Sequence, residues 1–495
     1  MTKSDTTSRS EAARAELSHP VIDGDGHMIE VEPVMLEYMK TVGGESLVND
    51  YVTWCNNRWR RWYDADPATR RSAHIQRTTY WGFPTGNTTD RVTCMLPGLM
   101  RKRLDALGID LAIAYPTIGA LFLGQPKPDV RRGLVRTVNL MNADLYSSYS
   151  DRLIPVAAIP MNTPAEALEE LDYAVGELGY KAVMMQGAVR RPVPDEFMGS
   201  GRFGNNYYLD HLAMDSEHDY DPVWQKCIDL KVAVTTHSGS QGLPNRTSPT
   251  SFVFNHVGHF AQHHEGMCKA FLLGGVPHRF PELKIAFLEG GVGWAVGLYN
   301  QLFEHWEKRN VDAMLKNLDP ALVDRNLVVE LFGEHGDEVH KAQIEKMREN
   351  DGHFFTQWDE KQVELDEFRD SGIRSEEDLE NLFIDHFYFG CEADDRMIPV
   401  AFDRRLNRNG ARLKAIFSSD IGHWDVIDAT NCLSESVELM KDGLMTEDDL
   451  RDFAYTNSVE LHGKMNPDFF KGTVIETESA ATLAGANTVT AERTV

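Results

Sequence analysis

Short apolar runs alternate along the chain with segments whose apolar residues recur at helical spacing. Helical patterns cover Val34–Val42, Leu96–Leu107 and Arg131–Ser150. Thr163-Pro-Ala-Glu166 is typical of a helix start, with threonine as N-cap and glutamate at the third position, and predicts a helix that runs to Leu178. Eight apolar runs predict β-strands: Val21–Asp25, Leu111–Pro116, Leu153–Pro160, Lys181–Gln186, Val232–His237, Ile285–Glu289, Phe387–Glu392 and Leu413–Asp420.

The order of these elements predicts the fold. Alternation of strand and helix implies parallel strands joined by right-handed crossovers. Eight such units in one chain are typical of a sheet that closes on itself, so we predict an α/β fold, a (β/α)8 TIM-like barrel with helical insertions. The alternative is an open doubly wound sheet with an appended helical domain. No Gly-x-Gly-x-x-Gly motif follows the first predicted strand, which disfavours that alternative.

Three segments interrupt the alternation and are predicted insertions in a barrel that spans 18–472: they lie at 43–95, 187–220 and 308–382. The first is rich in tryptophan, tyrosine and arginine, which suits either a lid over a flat anion or an interface with a second subunit. The third is highly charged and helical in pattern. Residues 1–17 and 473–495 carry few large apolar groups, so we expect a disordered N-terminal tail and a flexible C-terminal tail.

Composition narrows the function classes. The formal net charge of −26 disfavours nucleic acid and anionic membranes as partners, because both attract lysine and arginine. The six cysteines are scattered without a Cys-x-x-Cys pair, as is typical of reduced thiols. The polar start of the chain lacks the apolar core of a signal peptide, and no apolar stretch is long enough to cross a bilayer. We therefore expect a cytoplasmic protein that acts on a small molecule.

Residues with metal-ligand chemistry stand where several apolar runs end. After the first run comes Asp25-Gly-His27, and alternate residues of an extended chain point in the same direction. In a barrel the carboxyl ends of all strands face one mouth, so polar residues at several strand ends converge there. Each residue alone has an ordinary explanation, such as a helix N-cap for Asp420. Together they predict a divalent-metal site, and the strand ends carry Asp25, His27, His237, Glu289, Glu392 and Asp420.

The chain resembles the amidohydrolase-related family, in the metal-dependent hydrolase and decarboxylase branch that includes aminocarboxymuconate semialdehyde and γ-resorcylate decarboxylases. The most specific segments are Leu273–Trp294, which contains Arg-Phe-Pro-x-Leu-Lys, and Phe417–Asp425, which contains Ser-Asp-x-x-His-Trp-Asp. The other similar segments are Val21–Glu32, Leu104–Thr117, Asp151–Pro160, Lys181–Val183 and Thr235–Gly239.

The resemblance implies that Asp25, His27, His237 and Asp420 bind a catalytic divalent metal, with Glu289 beside it. It also implies that Asp420 and Glu289 transfer protons. Zinc and manganese are the favoured metals, and iron is compatible. Many members begin with His-x-His, whereas Asp25 adds negative charge here and favours manganese or iron. The fourth predicted strand ends without the lysine that bridges two metals in binuclear members, so one ion is the default.

A second ion is nevertheless compatible with the sequence, because five potential ligands precede the sixth predicted strand. These residues are His256, His259, His263, His264 and Glu265. His263, with Glu265, is the better candidate for an additional metal ligand, because both lie nearer to the family-like segment. His256 and His259 are better explained as polar residues of a loop at the barrel mouth.

The predicted function is that of a metal-dependent hydrolase or nonoxidative decarboxylase that acts on a small aromatic or cyclic carboxylate. A metal-bound water or a chelated substrate at the barrel mouth would support either reaction. Two alternatives remain open: a dinuclear Mn/Fe-dependent oxygenase on the same fold, and a non-catalytic barrel subunit that supports a related active partner. The resemblance also implies a homo-oligomer, or a hetero-oligomer with a homologous subunit.

Overall fold

Eight parallel strands form the centre of the protein. The computed structural model describes residues 7–78, 86–194, 207–237, 246–346 and 365–493. In these ranges the strands are β1 Ile22–Met28, β2 Leu111–Pro116, β3 Leu153–Ile159, β4 Ala182–Met185, β5 Val189–Pro192, β6 Tyr207–Asp210, β7 Val234–Thr236, β8 Ile285–Phe287, β9 Phe387–Glu392 and β10 Lys414–Ser418. The large sheet has the order β1-β2-β3-β4-β7-β8-β9-β10, and β5 pairs with β6 in a separate antiparallel hairpin.

The sheet curves until its last strand reaches its first. At this seam the Ser418 hydroxyl donates to the Asp25 carbonyl oxygen at 2.8 Å, and the Ser419 backbone N–H donates to the Asp23 carboxylate at 2.9 Å. The predicted TIM-like barrel is therefore confirmed, and the open doubly wound sheet is wrong. All eight apolar runs overlap a barrel strand, because strands buried on both faces are rich in apolar residues. Seven runs contain the whole strand, whereas β1 extends to Met28, beyond the predicted end at Asp25.

Helices surround the barrel and supply most crossovers between its strands. The predicted start at Thr163 is correct, since its hydroxyl accepts from the Glu166 backbone N–H and Pro164 opens the helix. The α-helices are Arg9–Glu16, Glu32–Asp64, Pro67–Ser72, Thr88–Thr93, Pro97–Leu107, Thr117–Phe122, Pro128–Tyr146, Pro164–Leu171, Asp221–Asp229, Phe252–His256, His259–Leu273, Val276–Arg279, Gly293–Arg309, Val311–Asn317, Arg325–His335, Glu338–Lys341, Glu376–Ile384, Cys432–Lys441, Glu447–Arg451, Asn457–Gly463 and Glu476–Arg493. Among the described residues, no helix has the length and apolar character needed to cross a membrane.

Both predicted tails contain helix, which differs from the expected disorder. Helix Arg9–Glu16 begins with a capping box between Ser8 and Glu11, and its Ala13 is buried against the core. Helix Glu476–Arg493 follows the buried Ile475, and its Leu483 packs against the core. A few small or isolated apolar residues are enough to stabilise each of these helices, because the helix packs on a surface of the barrel.

The first predicted insertion lies against the connection between β7 and β8. It begins in helix Glu32–Asp64, which is kinked at Gly44, where φ is 67°. The Trp62 indole N–H donates to the Pro249 carbonyl oxygen at 2.8 Å, and the Arg77 backbone N–H donates to the Ser248 carbonyl oxygen at 2.9 Å. In the third insertion, which the sequence predicts to be helical, one helix covers Glu338–Lys341, and residues 347–364 lie outside the described ranges.

Candidate metal centre

The end of β1 directs Asp25 and His27 into the barrel mouth. The pairing of β1 with β2 is irregular between Asp23 and Gly26, and the Asp23 carboxylate accepts from the backbone N–H groups of Asp25 and Ser419. Asp25 and His27 are buried, and His27 Nε2 lies 3.7 Å from Asp25 Oδ1. On the other side of the ring, His27 Nδ1 lies 3.4 Å from the Thr117 hydroxyl. This second contact fixes the ring orientation, as is usual for metal-binding histidines.

Three later strands bring His237, Glu289 and Asp420 to the same place. His237 Nε2 lies 3.2 Å from His27 Nε2 and 2.8 Å from Glu289 Oε2. Asp420 Oδ1 lies 3.5 Å from His27 Nε2. The structure thus brings together Asp25, His27, His237, Glu289 and Asp420, which the sequence placed at the ends of four strands.

Two of these residues have an unfavourable backbone conformation. Glu289 has φ of 57° and Asp420 has φ of 45°, both in the left-handed region. For a residue with a side chain that conformation costs roughly 1–2 kcal/mol. Such strain is concentrated at functional sites, where the surrounding structure holds it in place. Here it turns two carboxylates toward the mouth just after their strands end.

His423 completes the cluster, although it does not lie at the end of a predicted strand. Its Nδ1 lies 2.6 Å from Asp420 Oδ1 and 3.6 Å from Glu289 Oε1, and its ring centroid lies 4.0 Å from that of His27. His423 lies in the turn after β10 rather than at the end of a strand. The signal that could have found it is the Ser-Asp-x-x-His motif, which places an imidazole three residues beyond Asp420.

The unpaired carboxylate oxygens fit a divalent cation. Both oxygens of Asp25 and Asp420 Oδ2 are buried and accept no hydrogen bond from a described residue, whereas Glu289 Oε2 and Asp420 Oδ1 contact only the imidazoles of His237 and His423, at 2.8 and 2.6 Å. Leaving such groups buried and unsatisfied costs several kcal/mol unless a cation balances them. Ligands of one zinc-like ion lie about 2.0–2.2 Å from it, and therefore roughly 3 Å or a little more from each other. The imidazole nitrogens of His27 and His237 lie 2.8–4.0 Å from the carboxylate oxygens of the cluster, so small shifts would place them around one ion.

Burial and neighbouring charges raise the pKa values of some residues in the cluster and lower those of others. Burial raises the pKa of Asp25 to about 7 and that of Asp420 well above its usual value, and burial lowers the pKa of His27 well below its usual value. For Glu289, burial is outweighed by His237 and His423, which hold its pKa well below its ordinary value. Glu289 and Asp25 raise the pKa of His237 against the effect of burial. The cluster therefore holds protons that a cation would displace.

The candidates on the helix after β7 do not join this cluster. His263 lies on helix His259–Leu273, and among the described residues it belongs to no group of three or more ligand atoms within 4.8 Å of one another. His256 and His259 are separated by Gly258, where φ is 68°, and do not share one helix. Glu265 forms an ion pair with Lys269 at 3.0 Å. His263 thus lies on a helix outside the cluster, and its role as an additional metal ligand stays a prediction.

A cavity of about 480 Å³ lies beside the cluster. Its walls include the aromatic rings of Phe260 and Trp424 and the carboxylates of Glu289, Glu392 and Asp425. Burial, with the charges of Asp425 and Glu289, raises the pKa of Glu392 to about 8. The predicted strand-end residue Glu392 thus faces the mouth, but it groups with Asp420 and Asp425 rather than with the histidines.

One family profile and several solved structures are similar to this chain. The sequence profile described as "Amidohydrolase" matches residues 93–336. A crystal structure of an amidohydrolase from Mycobacterium avium subsp. paratuberculosis has a TM-score of 0.48 and 17% identity, covering 76% of each chain. A dihydroxybenzoic acid decarboxylase from a Polaromonas species, with bound manganese, has a TM-score of 0.47 and 13% identity, covering 90% of this chain and 97% of that one. A manganese complex of 5-carboxyvanillate decarboxylase from Novosphingobium aromaticivorans has a TM-score of 0.45 and 14% identity, covering 90% of this chain and 97% of that one.

Proposed function

We propose that this chain, whose residues 93–336 match the amidohydrolase profile, is a metal-dependent enzyme that decarboxylates or hydrolyses a small aromatic or cyclic carboxylate. The observation that carries this proposal is the convergence of acidic and imidazole groups from four strand ends. Three of their buried carboxylate oxygens, both of Asp25 and Oδ2 of Asp420, accept no hydrogen bond from a described residue. A purely structural cluster would satisfy those oxygens with protein donors.

The residues that would hold the metal are Asp25, His27, His237, Asp420 and Glu289, with His423 at the edge. A mixed set of imidazoles and carboxylates suits manganese, iron or zinc. When bound, such an ion would polarise a substrate carboxylate or lower the pKa of a water molecule. Its positive charge would also offset the acidic cavity wall, so a carboxylate substrate should bind only to the metal-loaded protein.

Asp420 is the proposed proton-transferring residue. Its carboxyl group is buried, its pKa is raised, and it contacts His423, whose pKa Asp420 and Glu289 raise well above the usual value against the effect of burial. In a decarboxylation, Asp420 would give a proton to the ring carbon as the bond to the departing carbon dioxide breaks. In a hydrolysis, it would take the proton of the attacking water. Glu289 contacts His237 and His423, which hold its pKa well below its ordinary value, so it would be the carboxylate that accepts the second exchangeable proton.

The cavity supports an aromatic or cyclic substrate. Trp424 contacts Phe252 and His256 edge to face, with centroid distances of 5.9 and 5.5 Å, and is held at the rim. Phe260 packs edge to face on His237 at 5.6 Å. These rings offer apolar faces on which a flat substrate can pack next to the carboxylate-binding position.

Screening with and without metal tests the proposal. Chelated protein and Mn²⁺-loaded protein would be incubated with a panel of hydroxylated aromatic carboxylates and cyclic amides, and carbon dioxide and free carboxylate would be measured. We expect turnover only with metal, and a loss of at least about a hundredfold in Asp420→Asn. The matched control is Asp394→Asn, an exposed change at the cavity wall that should retain activity. Full activity of Asp420→Asn, or of the metal-free protein, would refute the proposal.

A further inference from the structure

Two aromatic side chains beside the cavity carry buried nitrogens without hydrogen-bond partners. His264 lies on helix His259–Leu273 and is fully buried, and neither of its ring nitrogens bonds to a described residue. Trp294 lies in the first turn of helix Gly293–Arg309, and its indole nitrogen is likewise buried and unpaired among the described residues. Because buried polar groups of folded proteins are almost always hydrogen-bonded, these nitrogens point to a ligand atom.

Both side chains direct a nitrogen toward the same residue of the cavity wall, Gly290. A Cβ atom built on Gly290 would lie 3.0 Å from His264 Nδ1 and 3.1 Å from Trp294 Nε1. The two nitrogens are therefore close enough for one atom to bridge them with hydrogen bonds of ordinary length, about 2.7–3.2 Å. Gly290 and Ala261, which precedes His264 by one helical turn, both line the cavity of about 480 Å³. The pair thus borders the space proposed for the substrate.

Aromatic packing holds the two rings in place. The Trp294 ring packs edge to face on Phe287 and Phe389, with centroid distances of 5.8 and 5.4 Å. The His264 ring centroid lies 5.7 Å from that of Phe287 and 6.4 Å from that of Trp294. The phenylalanine rings orient both nitrogens but offer them no oxygen or nitrogen atom as a partner.

The chemistry of the pair selects a neutral hydroxyl oxygen. The indole N–H of Trp294 can only donate, whereas a buried imidazole without a carboxylate partner is neutral and has one donor and one acceptor nitrogen. A hydroxyl oxygen can accept from Trp294 and either donate to His264 or accept from it. An anionic oxygen would find no positive charge on either ring, and it would lie near the Glu289 carboxylate of the same wall.

We infer that His264 and Trp294 form a binding site for one hydroxyl oxygen at the cavity wall beside Gly290. The oxygen belongs either to a water molecule or to a hydroxyl group of the substrate, since both have the same hydrogen-bonding chemistry. With a substrate hydroxyl, the inference rests on the function proposed above, and the two residues select hydroxylated carboxylates. With water it is independent of that function, because the bound water requires neither metal nor turnover.

Ligand selectivity tests whether a substrate hydroxyl occupies the site. Mn²⁺-loaded protein would be titrated by calorimetry with benzoate and with its three monohydroxylated isomers. We expect at least one isomer to bind roughly three- to tenfold more tightly than benzoate, and this preference to disappear in His264→Phe and in Trp294→Phe. A preference that persists in both variants would exclude a substrate hydroxyl from the site. The matched control His462→Phe removes another buried imidazole with an unpaired Nδ1, outside the described cavity wall, and should keep the preference.

Crystals of the wild type with and without the hydroxybenzoates decide between the two sources even if the variants fail to fold. An oxygen within about 3.2 Å of both His264 Nδ1 and Trp294 Nε1 in the ligand-free crystal identifies water, and the hydroxyl of the ligand at that position identifies the substrate. Gly290→Ala should displace either oxygen, because its methyl group would lie against both nitrogens. No oxygen between the rings in any crystal would refute the site and leave the proposed function standing. An ordered water in a protein that binds no metal would refute only the proposed function.

Discussion

The residues of the candidate metal centre were predictable from sequence where the direction of a strand positions them. Asp25, His27, His237 and Asp420 follow apolar runs, and barrel topology sends all such residues to one mouth. His423 was not predicted, because it lies in a turn. The path of that turn depends on contacts with Glu289 and Asp420, which follow two different strands. Residues at the ends of barrel strands can be predicted to converge, because the strands share one direction. The position of a loop residue has to be seen in the structure.

The pKa of Asp25 predicts how metal affinity depends on pH. Burial raises this pKa to about 7, so the carboxyl is protonated below that pH and must lose its proton to bind a cation. Mn²⁺ affinity should therefore fall as pH decreases from about 8 to about 6, by up to roughly tenfold per pH unit for each proton released. Calorimetry in buffers of different ionisation enthalpy would measure both the affinity and the number of protons.

Asp25→Asn provides the control for this dependence. The variant should bind Mn²⁺ more weakly at every pH and with a shallower pH slope, because one titrating ligand has been removed. An unchanged slope would show that Asp25 does not exchange a proton for the metal. A wild-type affinity that is constant over the same pH range would contradict the protonated cluster described above.

At the scale of elements, the barrel strands were predictable and the hairpin was not. Strands inside a ring of helices are apolar on both faces, so their sequences are continuous apolar runs. Strand β5 is Val-Arg-Arg-Pro and exposes alternate residues. Its Arg191 is buried because it pairs with Asp210 of β6 at 2.9 Å and with the Tyr220 hydroxyl. Such a long-range charge pair leaves no local pattern in the sequence.

The seam of the barrel provides a stability prediction. A Cβ on Gly24 would collide with the Ile416 side chain and approach the Ser458 hydroxyl to 3.1 Å. Gly24→Ala should lower the free energy of unfolding by about 1–3 kcal/mol through overpacking between β1 and β10. Urea denaturation followed by circular dichroism measures the change.

Gly176→Ala is the matched comparison for the seam variant. Nothing lies within 4 Å of a Cβ built at Gly176, which is in the helical segment Asp172–Glu177. This change should be neutral or slightly stabilising, because alanine favours helix. Equal stability of the two variants would contradict close packing at the seam.

At the scale of the whole molecule, a buried histidine predicts acid sensitivity. Burial lowers the pKa of His462 to about 3, and its ring stacks on Phe469 with a centroid distance of 4.4 Å. The unfolded chain binds a proton at His462 below about pH 6.5, whereas the folded chain does not until about pH 3. Stability is therefore fully present above pH 6.5 and falls by up to about 1.4 kcal/mol per unit as pH decreases below it.

Replacing His462 by phenylalanine should remove this contribution. We expect a smaller loss of stability between about pH 6.5 and pH 5 in His462→Phe than in the wild type. The control is His335→Phe, a change at an exposed position that should leave the pH dependence as it is. Thermal denaturation at several pH values would measure the pH dependence of stability for each protein. If stability depended on pH in the same way in His462→Phe and in the wild type, His462 would not cause the acid sensitivity.

The central claim is that residues far apart in the sequence, at the ends of several strands, bind one divalent cation at the barrel mouth. Anomalous diffraction at the manganese edge, from crystals grown with Mn²⁺, tests it most directly. We predict a peak about 2.0–2.3 Å from ring nitrogens of His27 and His237 and from a carboxylate oxygen of Asp420. A peak elsewhere with none at this cluster, or coordinates that separate His237 from Asp420 across the barrel, would contradict it.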